Sequence, residues 1–237
     1  MEQLNKECNP EYVIDYKQLQ LIIGILGVSL PFILIISNSL YHGIATEVLS
    51  SISSYYYSSV QHIYGGIIFT IAIFLFAYRG YCNNNEYVND CPKFLCRLNI
   101  PDSIAGNIAC VFAILLVLFP TSIILNSSSI ISRLHFIFAA GFFITLIYFS
   151  LCLFTRSNPG LITTQKKYRN RIYKTCAYIM FFCIIIIGLF KLTWIDKFPE
   201  LKSILSKYDY VFWLESLALW TFGISWFVKA ETILKDK

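Results

Sequence analysis

Six stretches of about twenty residues in this chain are almost wholly apolar, and no other feature limits its folding as strongly. They run over 19–38, 60–78, 103–119, 134–154, 172–190 and 210–228. A helix needs about 17–25 such residues to cross the hydrocarbon of a bilayer, so each stretch predicts a membrane-spanning helix. Composition agrees: 57% of the 237 residues are hydrophobic and 14% are charged, against about 25% charged in an ordinary soluble domain. Too few charges remain to coat a globule of this size. That excludes a water-soluble enzyme, a disordered chain and, despite a net charge of +5, a nucleic-acid-binding domain. The expected fold is all-α, a polytopic six-transmembrane-helix bundle in a single domain over 1–237. The third span is the shortest, with a polar first turn from Ser103 to Asn107. The first is expected to be a retained span. Residues 1–20 carry Glu2, Glu7, Glu11 and Asp15 against Lys6 and Lys17, whereas a signal peptide opens on a basic stretch.

Basic residues set the orientation, because Lys and Arg accumulate in short cytoplasmic connections. With both termini cytoplasmic, 14 of the 19 Lys and Arg residues fall on the inner side. The outer loop over 39–59 has none. The expected location is the bacterial inner (cytoplasmic) membrane. Of eight cysteines, Cys8, Cys82, Cys91 and Cys96 fall in inner segments and Cys110, Cys152, Cys176 and Cys183 in spans. None lies in an outer loop, where an oxidising compartment would permit disulfides, so no disulfide is expected. The spacing of Cys82, Cys91 and Cys96 is unlike the paired cysteines of structural zinc sites.

Polar residues that share the outer depth are the first candidate site. The outer loop ends in a serine- and tyrosine-rich run before span two, including Tyr55 and Tyr56. Tyrosines at a membrane boundary form an aromatic belt, and Ser58 with Gln61 fits a helix capping box. The same run could instead form a hydroxyl-rich lip over a pocket between spans. His42, His62 and His135 all fall at outer span ends. Glu215 follows a capping Asp209 by six residues, which at 1.5 Å per residue puts it about 9 Å into span six. An ionisable residue at depth faces the bundle interior and is a functional-site hypothesis by default. Histidine and carboxylate from different helices can hold zinc and activate a water. No H-x-x-x-H or H-E-x-x-H spacing supports that here. Hydrogen bonding of the histidines near the interface, with Glu215 paired to Arg133 or to a histidine, explains the same residues.

The inner side carries a second candidate. Lys166, Lys167, Arg169, Arg171 and Lys174 crowd the start of span five. Positive-inside topology accounts for them, and a cluster of 4–8 basic residues beside a span also attracts anionic lipid at about 1 kcal/mol per charge. Tyr78 and Tyr81 flank Arg79 as belt tyrosines around a snorkelling arginine. Ser103 and Asn107 are placed to hydrogen-bond across helices. Asn126 begins a glycosylation acceptor sequence.

Several segments together resemble a group of uncharacterised bacterial six-span membrane proteins: Ser51-Ile52-Ser53-Ser54-Tyr55-Tyr56, Tyr78-Arg79-Gly80-Tyr81, Phe119-Pro120-Thr121, Arg169-Asn170-Arg171-Ile172-Tyr173, Phe212-Trp213-Leu214-Glu215 and Phe222-Gly223-Ile224-Ser225-Trp226-Phe227-Val228-Lys229. The likeness covers nearly the whole chain and implies no activity. In topology the chain also resembles the DRAM/Sfk-type family, which is associated with membrane lipid organisation and autophagy.

The residues thus point to a non-enzymatic membrane protein that binds a lipid headgroup or small amphiphile in an outward-facing pocket. Tyr55, Tyr56, His62, His135 and Glu215 would line that pocket. The partners would be membrane lipids and not nucleic acid, with a homo-oligomer left open. No cofactor is expected. A membrane-embedded hydrolase holding zinc on His62, His135 and Glu215 is the alternative. A small transporter or channel is the second, though Pro31 interrupts only span one and transport sites favour a matched pair of broken spans.

Overall fold

Capping chemistry sets both ends of the first apolar helix. The computed structural model describes residues 15–80, 92, 95, 97–121, 130–157, 163–191 and 197–235. Among the described residues it contains α1 (Tyr16–His42), α2 (Gln61–Ala77), α3 (Asp102–Leu118), α4 (Ile130–Tyr148), α5 (Thr164–Lys191), α6 (Pro199–Lys207) and α7 (Tyr210–Lys229). A 3-10 helix covers Ile52–Tyr57, a π turn over Phe149–Leu153 prolongs α4, and no strand forms. Helix α1 starts where the Asp15 carboxylate accepts the Lys17 N–H at 3.1 Å. It ends at Gly43, whose φ of 68° is the left-handed conformation that glycine adopts without a side-chain clash. Pro31 is buried inside α1 and does not end it.

Length and apolar content suit four of these elements to crossing a membrane: α1, α4 with its π turn, α5 and α7. Helices α2 and α3 are apolar but shorter, at 17 residues each. Large apolar side chains face outward, among them Ile25, Phe32 and Ile36 on α1, Phe69 and Phe76 on α2, and Phe181 and Phe182 on α5. These apolar helices are compatible with an integral membrane protein.

The helices close into a ring. In order around it, α1 packs on α2, α2 on α3, α3 on α4, α4 on α5, α5 on α7, and α7 back on α1. The α1–α7 seam is tight because both helices present glycine. A Cβ on Gly223 would stand 2.7 Å from the Gly24 carbonyl oxygen, so only a residue without a side chain allows this approach. The start of α1 meets the end of α7, where Lys17 Nζ and Glu231 Oε2 are 2.6 Å apart. That end of the ring is called basal below and the opposite one apical.

Some local expectations are corrected. Asp209 precedes α7 with φ 46° but makes no side-chain cap hydrogen bond. No capping box joins Ser58 and Gln61. The Ser58 hydroxyl donates to the Tyr55 carbonyl at 2.8 Å, and α2 starts at Val60 without a side-chain cap. Tyr55 and Tyr78 are fully buried and so are not belt residues; Tyr57 is exposed. Asn107 Oδ1 is buried without a hydrogen-bond partner among the described residues. The connections before α2 and α7 also hold structure that hydropathy did not predict, namely the 3-10 helix and α6. Cys110, Cys152, Cys176 and Cys183 are free thiols. Cys8, Cys82, Cys91, Cys96, Tyr81 and the Asn126 acceptor lie outside the described residues.

Candidate functional site

At the apical end the 3-10 helix lies against α1, α2 and α7. Ser51 caps it, its hydroxyl accepting the Ser54 N–H at 3.1 Å. Glu215 then grips the same turn from α7, its Oε2 accepting the Ile52 N–H at 2.6 Å. A carboxylate at a helix N-terminus meets unsatisfied backbone N–H groups there, and a charge-assisted bond of this kind is stronger than a neutral one. His135 holds the next residue. Its Nδ1 stands 2.8 Å from the Phe119 carbonyl oxygen and its Nε2 2.9 Å from Ser53 Oγ. A carbonyl only accepts, so Nδ1 carries a proton and donates it to Phe119, while Nε2 shares a hydrogen bond with the Ser53 hydroxyl. The Tyr64 hydroxyl also hydrogen-bonds Ser53. Tyr55 completes the seal, fully buried against Phe212 with ring centroids 6.1 Å apart. Burial pushes its hydroxyl above the ordinary phenol range.

The apical candidates therefore divide. Tyr55, His135 and Glu215 converge on one short helix, His135 through Ser53 and Glu215 through the Ile52 N–H. Tyr56 is half-buried, while His62 and His42 are exposed. A cavity of about 40 Å³ remains beside the seal, lined by Ser53, Tyr64, Phe142 and Glu215 among others. One water occupies about 10–15 Å³ on this measure, so the cavity has room for no more than a few waters. Among the described residues no three His, Cys, Asp or Glu side chains stand close enough to hold a metal ion.

The basal end buries more charge, and most of it was not anticipated. Asp102 begins α3 and Arg156 follows the π turn. Arg156 Nη1 lies 3.1 Å from Asp102 Oδ1, and Nη2 donates to the Ile100 carbonyl at 3.0 Å. Gly80 accommodates this pair from the end of α2. Its φ is 37°, and a Cβ there would collide with the Asp102 carboxylate. The Gly80 and Arg79 N–H groups donate to the Tyr16 hydroxyl. The π turn adds a residue to one helical turn, which changes the direction of everything after it. Ser150 within it donates to Ser225 Oγ at 3.2 Å.

The basic run of α5 splits along helical periodicity. Lys166, Arg169, Asn170 and Tyr173, spaced i, i+3, i+4 and i+7, are buried, while Lys167 and Arg171 are exposed and Lys174 is half-buried. Lys166 Nζ donates to the Phe154 carbonyl at 2.7 Å and stands 5.7 Å from the Tyr173 ring centroid. Arg169 Nη1 donates to the Leu234 carbonyl at 2.9 Å and lies 3.6 Å from Glu231 Oε1. Lys229, ending α7, places its Nζ 5.5 Å from the Phe154 ring centroid. Beneath these cations lies an aromatic box around Trp226, with Tyr78 at 4.9 Å, Phe154 at 5.0 Å and Phe149 at 5.8 Å between centroids.

Sequence reasoning named Lys166 and Arg169 as lipid contacts but missed Asp102, Arg156 and Lys229 as their neighbours. The i, i+3, i+7 stripe was the available signal: Lys166, Arg169 and Tyr173 continue the face that buries Ala177 and Met180. Comparison with protein-family models, with curated proteins and with solved structures found no match for this chain.

Proposed function

We propose that this chain is a six-span integral membrane protein with both termini cytoplasmic, and that it binds membrane lipid without catalysing a reaction. The ring carries this reading. Six apolar helices alternate in direction, their outward faces are apolar, and the start of α1 and the end of α7 share one end. At 1.5 Å per residue, the 17 residues of α2 and of α3 reach about 26 Å, close to the hydrocarbon thickness of a bilayer. The basic residues concentrate at the basal end, which favours that end as cytoplasmic. The resemblance to uncharacterised bacterial six-span proteins favours a bacterial inner membrane.

An outward-facing headgroup pocket has weaker support than a basal contact. The apical acid and histidine are spent on holding the 3-10 helix, and the adjoining cavity has room for waters only. A zinc hydrolase on His62, His135 and Glu215 has less again, since both ring nitrogens of His135 are engaged and His62 is exposed. Impermeant thiol labelling of single-cysteine variants in intact cells tests the topology. Glu47→Cys is expected to label from outside, and Lys235→Cys only after permeabilisation. The reverse pattern, or labelling of both from one side, would sink the six-span reading. Native mass spectrometry of the purified chain tests the lipid: retained phospholipid supports the binding role, and a bare chain in every mild detergent opposes it.

A further inference from the structure

We propose that α6 lies in the plane of the bilayer surface at the apical end, with Ile204 and Tyr208 seated at the boundary of lipid chains and headgroups and Lys207 among the lipid phosphates. This contact is separate from both clusters of polar residues described above. It deepens the lipid-binding proposal and rests on the six-span reading.

The argument begins with how side chains are distributed round α6. Each residue of an α-helix is turned about 100° from the last. Tyr208 prolongs the final turn, its N–H donating to the Leu205 carbonyl at 3.1 Å. Starting from Leu205, the order round the axis is then Tyr208, Ile204, Glu200, Lys207 and Ser203. Leu205 is half-buried and the others are exposed, Ile204 at 58% and Tyr208 at 65%. Helix α6 packs on α7, so its apolar arc is wider than the described residues cover. The uncovered edge is an isoleucine and a tyrosine, and charged groups begin directly beyond it. Bare apolar area of this kind is unfavourable in water. A helix with an apolar edge and a charged face is the form that lies in a membrane interface.

The flanking helices set the level at which α6 sits. Helix α5 ends at Lys191 and α7 starts at Tyr210, with the Phe190 and Tyr210 rings 5.0 Å apart. The chain therefore enters and leaves this connection at one apical level. Aromatic side chains mark that level as a membrane boundary, because Tyr and Trp gather where hydrocarbon meets headgroups. Tyr41 in the last turn of α1, Tyr57 at the end of the 3-10 helix and Trp213 in the first turn of α7 are all exposed. Tyr208 continues this belt. The stem of Lys207 lets its ammonium reach outward from the apolar edge to phosphate, and exposed Lys197 adds a second charge at the same level. Lipid that surrounds α5 and α7 reaches Ile204 without any further partner.

The test places a nitroxide on single cysteines of the full chain in nanodiscs of phosphatidylglycerol and phosphatidylcholine. Collision with oxygen, which concentrates in lipid, is compared with collision with a water-soluble nickel chelate. Cys110, Cys152, Cys176 and Cys183 are buried and stay; the other four cysteines are replaced by serine, and the signal of this background is subtracted. The oxygen-to-nickel ratio at Ile204→Cys and Tyr208→Cys is expected to exceed that at Ser203→Cys by about threefold or more, as for a helix half-sunk in the interface. Equal ratios at Ile204 and Ser203 would put α6 in water and overturn the proposal. Shielding of Ile204 and Tyr208 from both reagents would overturn it too, since a second copy or another protein would then cover the edge. Should a label disturb α6, Ile204→Trp in brominated lipid replaces it: quenching beyond that of the four native tryptophans supports the contact, and none opposes it. Ile25→Cys and Phe182→Cys, on the outward faces of α1 and α5, separate the failures. Lipid exposure there with water exposure at Ile204 overturns the α6 contact alone, whereas water exposure at all three overturns the integral-membrane reading.

Discussion

The two ends of the bundle both bury ionisable side chains, and they meet the cost of doing so in opposite ways. At the apical end one carboxylate and one imidazole are matched, atom by atom, to the Ile52 N–H, the Ser53 hydroxyl and the Phe119 carbonyl. What they hold is a piece of the same chain, so the end is closed. At the basal end, cations from α5 and α7 stand beside the buried Asp102–Arg156 pair and share carbonyl and carboxylate partners drawn from several elements. Local satisfaction of one turn thus marks a latch, whereas the basal cations are held by carbonyls and carboxylates from several elements. Membrane depth alone does not distinguish them, because both ends present polar residues at similar distances from a helix terminus.

The largest test of this contrast strikes the basal pair. Asp102→Asn leaves the Arg156 charge in place without its carboxylate, and breaking a buried pair costs about 3–5 kcal/mol. Thermal unfolding in detergent should fall accordingly. The double variant Asp102→Asn with Arg156→Met should recover much of the loss; a double variant as unstable as the single one would show that the pair is not the unit. Next in size is the apical latch. Glu215→Ala removes a charge-assisted hydrogen bond, a change of about 1.5–3 kcal/mol. It should raise the labelling rate of a cysteine placed at Ser54, and an unchanged rate would show that Glu215 does not hold the turn.

Smaller still is Lys167→Gln, on the exposed face of α5, where surface substitutions stay within about 0.5 kcal/mol. A larger drop in unfolding temperature would mean that the exposed face is engaged after all. The smallest effect concerns Asp209, whose carboxyl is pushed above its ordinary range by burial first and by the charge of Glu47 second. The folded chain then holds that proton more tightly than the unfolded one. Stability is therefore lost as pH rises through the carboxylate range. Asp209→Asn keeps a residue that tolerates φ 46° and removes the loss. The variant should gain on the parent at pH 7 relative to pH 3, and an equal offset at both values would reject the assignment.

Much of the scaffold was legible because its signal is long. Twenty apolar residues in succession read as a helix wherever they fall, and the described helices agree with the hydropathy boundaries to within a few residues except at the start of α5, which begins at Thr164, eight residues before the expected 172. The pieces that escaped are short, α6 and the 3-10 helix, where fewer than ten residues carry too little periodicity to stand out. The sites were half legible for a different reason. His135 and Glu215 were placed at the right depth, yet what joins them is a loop, and hydropathy does not say how a loop folds back. Asp102 and Arg156 lie 54 positions apart, and only the packing of α3 against α4 and the π turn brings them together. Lys166 and Arg169 were read as topology signals because charge counts ignore angle, whereas the 3.6-residue period of Lys166, Arg169, Tyr173 and Ala177 already assigned them to the inner face.

The closure of the ring by α1 and α7 has a consequence for how the chain is made. Helices α2 to α5 each pack on the helix synthesised just before them, so each finds a neighbour as it leaves the ribosome. Helix α1 is the exception on one side. Its Gly24 groove has to wait for Gly223, 199 positions further along the chain. Until then the nascent bundle is an open crescent, and a polypeptide truncated before α7 would leave that groove uncovered. Helix α7 is thus the clasp of the assembly, and its arrival also brings Lys229 and Glu231 to the basal end.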